Sequence, residues 1–136
     1  MAKVDSDQSL VVLDDDAEIL RQISKAMKHR FTVLCTSESD RAMAWVRNDK
    51  SVKLLMVGQD VRGGTGILVL ESAMQIRPEV RRILMTSYTD LATLMHGLHS
   101  GTIHRTVGKS SLHEELASLG AHAPAHRAAA AAPARQ

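Results

Sequence analysis

Five short aliphatic runs alternate with stretches of helical periodicity along this chain, and that alternation is the strongest constraint on its fold. The runs are Ser9–Leu13, Phe31–Cys35, Val52–Val57, Val80–Met85 and Ile103–Val107, the last interrupted by His104 and Arg105. Short, continuously apolar runs suit strands buried on both faces. Between them, Ile19, Leu20, Ile23, Ala26 and Met27 fall on one face of a first helix. Ala42, Met43 and Val46 mark a second helix, and Ile67, Leu70, Ala73, Met74 and Ile76 a third. Leu91, Leu94, Met95 and Leu98 mark a fourth.

The punctuation agrees. Asp15 or Asp16 can cap the first helix, Ser37 or Ser39 the second, and Asp90 the fourth. The third should stop before Pro78, and Gly101 should end the fourth. Ser111 with Glu114 reads as a capping box for a last helix. Gln59–Gly64 reads as a glycine-rich loop. Repeated βα units imply a parallel sheet covered by helices on both faces. The expected class is α/β, a flavodoxin-like (βα)5 doubly wound sheet with strand order 2-1-3-4-5.

Residues 9–119 carry this pattern, after an N-terminal extension at 1–8. Residues 120–136 are an Ala/Pro-rich low-complexity tail, expected to be disordered. Hydrophobic residues make up 44% of the chain, yet Phe31, Trp45 and Tyr88 are its only aromatics, so the core must be aliphatic and rich in methionine. A formal charge of +2 and the lack of an aromatic stacking platform argue against nucleic acid as a partner. One cysteine, Cys35, makes no internal disulfide, which fits a reducing cytoplasm. The N-terminus has no apolar signal-peptide core and no segment is long enough to span a bilayer.

In a doubly wound sheet, ligands sit beyond the carboxyl ends of the strands. Here those ends carry Asp14 and Asp15, Gly58, Thr86 and Lys109. Two acids can hold a hard divalent cation, and a lysine and a hydroxyl can hold phosphoryl oxygens. The residue between them, Gly58, has no carboxylate to accept a phosphoryl group.

These segments resemble bacterial response-regulator receiver domains over about residues 9–119. VVLDDDAEIL resembles the acidic-pair motif that opens receivers. KLLMVGQDVRGGTG resembles the phosphoacceptor segment of a subgroup reading S-D-Q-R-M-P-G-x-T-G, with Gln59, Gly63, Thr65 and Gly66 matching. RPEVRRILMTSYTDL resembles that subgroup's R-P-x-x-V-R-I-L-L-T-G-Y-T-D-L, and GTIHRTVGKS its last strand and lysine. The resemblance places Gly58 on the phosphoacceptor, Thr86 on the switch hydroxyl and Lys109 on the phosphate-binding lysine. Arg62 replaces the loop proline, Thr106 the switch aromatic, and Ser110 the proline after the lysine, where a trans bond is then expected.

Together these departures imply an atypical receiver in a signalling pathway. It would act as a phosphorylation-independent protein-interaction module and not as an enzyme. Mg²⁺ would be held only weakly at Asp14 and Asp15, which otherwise pair with Lys109 or cap the first helix. Asp60 is either a substitute phosphoacceptor, or a partner for Lys109, or a solvated loop acid. A vacated pocket that senses a small anion through Thr86 and Lys109 is a further alternative. The expected docking face is the one receivers use: Leu91–Ser100, Ile103–Val107 and Ser111–Leu119, with His96, His99, His104 and Thr106 on it. A histidine kinase, a downstream output protein or a second copy of the chain would be its partner. The histidine spacing alone makes a poor metal site.

Overall fold

The structure, a computed structural model, describes residues 8–61, 64–87 and 91–122. Asp90, Arg62 and the stretch 123–136, each given a role above, lie outside the described residues. The main sheet contains β1 (Ser9–Leu13), β2 (Thr32–Thr36), β3 (Val52–Gly58), β6 (Arg81–Thr86) and β7 (Arg105–Gly108). All four pairings are parallel, in the order β2-β1-β3-β6-β7. This is the expected 2-1-3-4-5 order, once a small antiparallel hairpin of β4 (Asp60–Val61) and β5 (Gly64–Thr65) is left out of the count. The hairpin falls where the sequence suggested only a loop.

The helices are α1 (Ala17–Met27), α2 (Ser39–Asn48), α3 (Gly66–Ile76), α4 (Leu91–Ser100) and α5 (Leu112–His122). Alternation along each strand sends side chains to two separate cores. Val11, Leu13, Leu55, Val57 and Leu84 pack with Ala42, Val46, Leu70, Ala73 and Leu94 from α2, α3 and α4. Leu10, Val12, Met56, Ile83, Met85 and Val107 pack with Ile19, Ile23, Met27, Leu112 and Leu116 from α1 and α5. Trp45 is a partly buried packing residue of the first core. Ala26, expected inward, is exposed, because α1 buries only its Ile19, Ile23 and Met27 seam.

The helix ends follow short-range chemistry. Asp16 caps α1 by accepting from the Glu18 amide at 2.9 Å. Gly101 ends α4 at φ +85°, the left-handed position that glycine takes without strain. The capping box expected at Ser111 is replaced by a 3-10 turn, Lys109–Ser111, and the Ser111 hydroxyl turns to the Glu115 carboxylate at 3.4 Å. No peptide bond is cis among the described residues, so Lys109–Ser110 is trans.

The amino-terminal edge of the sheet is held by two arginines whose roles the sequence did not disclose. Arg82 is buried, and its guanidinium donates to the carbonyls of Pro78 (3.0 Å), Val80 (3.0 Å), Gly101 (2.9 Å) and Thr102 (3.0 Å). Arg77 donates to the carbonyls of Val46, Asp49 and Val52 and pairs with Glu79 at 3.0 Å. The planar fork suits such multiple acceptance. Arg82 thereby ties the start of β6 to the turn between α4 and β7.

His104 completes this corner. Its Nδ1 accepts from the Arg82 amide at 2.9 Å, and its own amide donates to the Arg82 carbonyl at 2.8 Å. Nδ1 must therefore be unprotonated, so the neutral ring carries its proton on Nε2, which cannot also accept from Arg82. Desolvation first, then the positive Arg82 and Arg81, push the His104 pKa down from 6.5 to about 4. The unfolded chain then binds a proton that the fold rejects between these values. Stability contributed by neutral His104 is present above pH 6.5 and lost as pH falls toward 4. Urea melts from pH 7.5 to 4.5 should show a steeper loss for wild type than for His104→Gln. Parallel curves would contradict this account. The solvent-facing ring keeps the effect below the full linkage value.

Candidate functional site

Four strand ends meet at the carboxyl edge of the sheet. Asp14 follows β1, Gly58 closes β3, Thr86 closes β6, and Lys109 opens the turn after β7. Asp14 is 1% exposed and Thr86 fully buried, whereas Asp15 is exposed. Asp14 Oδ1 accepts from the Asp16 amide at 2.9 Å, which fixes the carboxylate beside the start of α1. Its other oxygen, Oδ2, lies 2.9 Å from Lys109 Nζ. The ammonium approaches off-axis, so the pair is close enough to be ionic while Oδ2 gains no directed hydrogen bond.

The decisive geometry is at Gly58. A Cβ built on Gly58 would overlap Asp14 Oδ2 and stand 3.5 Å from Lys109 Nζ. The Asp14 carboxylate therefore fills the space that a side chain at position 58 would need. A second close approach lies beside it. A Cβ on Gly66 would run into the carbonyl oxygen of Gly58, and the Gly66 amide donates to the Gln59 carbonyl at 2.9 Å. Gly66 thus lets α3 begin directly against the end of β3.

The Thr86 hydroxyl donates to Gln59 Oε1 at 2.5 Å. Gln59 stood in the sequence only as part of a motif, with no role assigned to it. Its amide reaching across from β3 toward the end of β6 is the missing partner. Asp60 is exposed in β4, and the carboxylate beside Lys109 is Asp14. The structure therefore brings together Asp14, Gly58 and Lys109, pairs Thr86 with Gln59, and leaves Asp15 and Asp60 facing solvent.

A resident divalent cation does not fit these residues well. The one buried carboxylate is turned onto the Lys109 ammonium, whose positive charge opposes a cation beside it, and the other carboxylate is exposed. Among the described residues no group of three or more His, Cys, Asp or Glu side chains converges as a metal-binding set.

The surface formed by α4, β7 and α5 lies at the β7 side of the sheet. On α4, Met95 is 57% and Leu98 44% exposed, and His96 and His99 are exposed as well. The sequence had placed Met95 and Leu98 on the apolar stripe. Among the described α4 residues, Leu94 and Gly97 are the buried ones, and Ile103 packs closely against Gly97, where a Cβ would collide with it. Thr106 is half-buried on the terminal strand, where Arg105 pairs with Glu115 at 3.7 Å. His104 is exposed at the foot of β7.

No family model matches the chain. In sequence it is 29% identical over 96 residues to the photosynthetic apparatus regulatory protein RegA of Cereibacter sphaeroides, covering 71% of this chain and 52% of that protein. It is 26% identical over 113 residues to the acid tolerance regulatory protein ActR of Rhizobium meliloti, covering 83% and 58%. The chain thus spans about half the length of these curated relatives. In fold it matches the signal receiver domain of an HD domain-containing protein from Pseudomonas fluorescens Pf-5. That match has a TM-score of 0.78 at 20% identity and covers 90% of this chain and 98% of that one. No described helix is long and apolar enough to cross a membrane. The chain thus has the fold of response-regulator receiver domains and is similar in sequence to response regulators.

Proposed function

We propose that this receiver-type domain takes part in signalling without phosphorylation at position 58, as a protein-interaction module and not as an enzyme. The observation that carries this reading is the occupied acceptor position. Gly58 offers no oxygen, and the Asp14 carboxylate fills the volume a side chain would take and is paired with Lys109. The ammonium that would neutralise a phosphoryl group is engaged internally, and the Thr86 hydroxyl is bonded to Gln59. Lys109 and Thr86, the two groups that would hold an anion, are thus engaged with Asp14 and Gln59, which weighs against a small-anion sensor. Phosphorylation of Asp60 would place an acyl phosphate on an exposed hairpin while Lys109 remains beside Asp14.

The surface that supports docking is α4 with β7 and α5, where exposed Met95 and Leu98 stand beside His96 and His99. Its partner is a kinase, an output protein or a second copy of the chain, placed in a cytoplasmic pathway. The test contrasts two double variants against a partner captured from the source cell. His96→Glu/His99→Glu should weaken binding at least about tenfold, since charge in a desolvated interface centre is costly. Asp14→Asn/Lys109→Met should bind within about twofold of wild type, because paired removal leaves no stranded charge. The reverse pattern would make the strand-end site the working one.

A further inference from the structure

On the opposite side of the molecule, α1 and the terminal strand β2 form a groove of about 340 Å³ lined by Leu20, Arg21, Ser24, Lys25, Lys28 and Cys35. Its floor is apolar. Cys35 and Leu20 are half-buried, and burial raises the Cys35 thiol pKa, so the sulfur is a poor nucleophile here and acts as packing surface. Its wall is cationic. Arg21 is paired with Glu18 one turn back. Lys25 and Lys28 have no carboxylate within ion-pair distance among the described residues.

Its outer boundary is the open edge of the sheet. Among the described residues β2 is hydrogen-bonded on one side only, to β1, and Val33, Leu34 and Cys35 are each half-exposed. An edge of this kind accepts a further strand. We propose that it binds an extended acidic segment of a partner protein, which adds to β2 and directs alternate carboxylates onto Arg21, Lys25 and Lys28. Along α1, Arg21 and Lys25 are separated by about 6 Å and Lys25 and the C-cap Lys28 by about 4.5 Å, and flexible lysine side chains reach from there to same-face strand residues about 6.8 Å apart. Charge also argues against a second copy as the occupant. Antiparallel pairing of two β2 edges about an axis normal to the sheet would bring two α1 helices to the same face, with their cationic rows adjacent. This surface is distinct from the α4–β7–α5 face and does not depend on the state of position 58.

The probe is the peptide Ac-GSEVEVEVSG-NH2, titrated into the ¹⁵N-labelled full chain at 150 mM salt, with Ac-GSKVKVKVSG-NH2 and a dT10 oligonucleotide as comparisons. The acidic peptide should shift the amides of Val33, Leu34 and Cys35 in a saturable way, and the lysine peptide should not. Lys25→Glu/Lys28→Glu, checked for native circular dichroism, should weaken the acidic peptide at least tenfold and allow the lysine peptide to bind. Single Lys25→Ala and Lys28→Ala variants should each weaken it less, giving a graded series should the double variant misfold. The proposal is overturned if neither peptide shifts β2 at millimolar concentration. It is equally overturned if the variants bind as wild type does, or if dT10 binds this groove as well as the acidic peptide.

Discussion

Replacing Arg82 with methionine is expected to destabilise the domain by about 3 kcal/mol and to lower its melting temperature by about 10–20 °C. Four carbonyls, those of Pro78, Val80, Gly101 and Thr102, would lose their charged donor in a buried corner. Each such bond to a charged group is worth about 1.5–3 kcal/mol. The sum is not additive, because removing a desolvated guanidinium also relieves an unfavourable burial. Arg82→Lys should fall between the two, since one ammonium cannot reach four acceptors in a plane. Arg21→Ala, which loses only an exposed pair with Glu18, should shift stability by less than about 0.5 kcal/mol and serves as the control. A methionine variant melting within about 2 °C of wild type would show that the carbonyls rehydrate freely and that the corner is not held by Arg82. The consequence reaches the proposed docking face, because Arg82 fixes the turn between α4 and β7.

The second large effect is expected at Gly58→Asp. A carboxylate at this position collides with Asp14 Oδ2, so Asp14 must rotate away from Lys109. Without metal, two carboxylates share one lysine and the variant should be less stable than wild type by about 1–2 kcal/mol. With metal the balance reverses, because a third charged oxygen donor joins Asp14 and Asp15. If the variant binds Mg²⁺ with a Kd of about 1 mM, 10 mM of the ion stabilises it by about 1.4 kcal/mol. That corresponds to a rise of about 5–10 °C in melting temperature, against less than about 1 °C for wild type. Equal shifts in the two proteins would mean that Asp14 cannot turn, and that the strand ends no longer form a cation site even when the carboxylate is returned.

Much of this architecture is legible in the sequence because it depends on period and punctuation. Doubly buried strands write themselves as runs such as Leu10–Leu13 and Leu54–Val57, and Asp16 and Gly101 mark helix ends by local chemistry. The strand ends at Asp14, Gly58, Thr86 and Lys109 follow from those runs. What escaped depends on side-chain direction across long separations. Arg82 reads as an interruption of an apolar strand, although alternation places it on the same face as Leu84 and Thr86, which was the available signal. Gln59 carries no period at all, and its bond to Thr86 spans 27 positions. Nor does helical spacing tell how wide a stripe is covered, so Met95 and Leu98 read as core and stand exposed. The turn of Asp14 onto Lys109 was one of two readings left open by the residues alone.

The most direct measurement of the central proposal is intact-mass spectrometry of wild type after incubation with acetyl phosphate and Mg²⁺, run without acid or heat so that an acyl phosphate survives. Gly58→Asp treated in parallel shows whether the conditions support transfer. The account predicts an unchanged wild-type mass, because position 58 has no carboxylate and Lys109 is paired with Asp14. A stoichiometric gain of one phosphoryl group, about 80 Da, on the wild-type chain would contradict it.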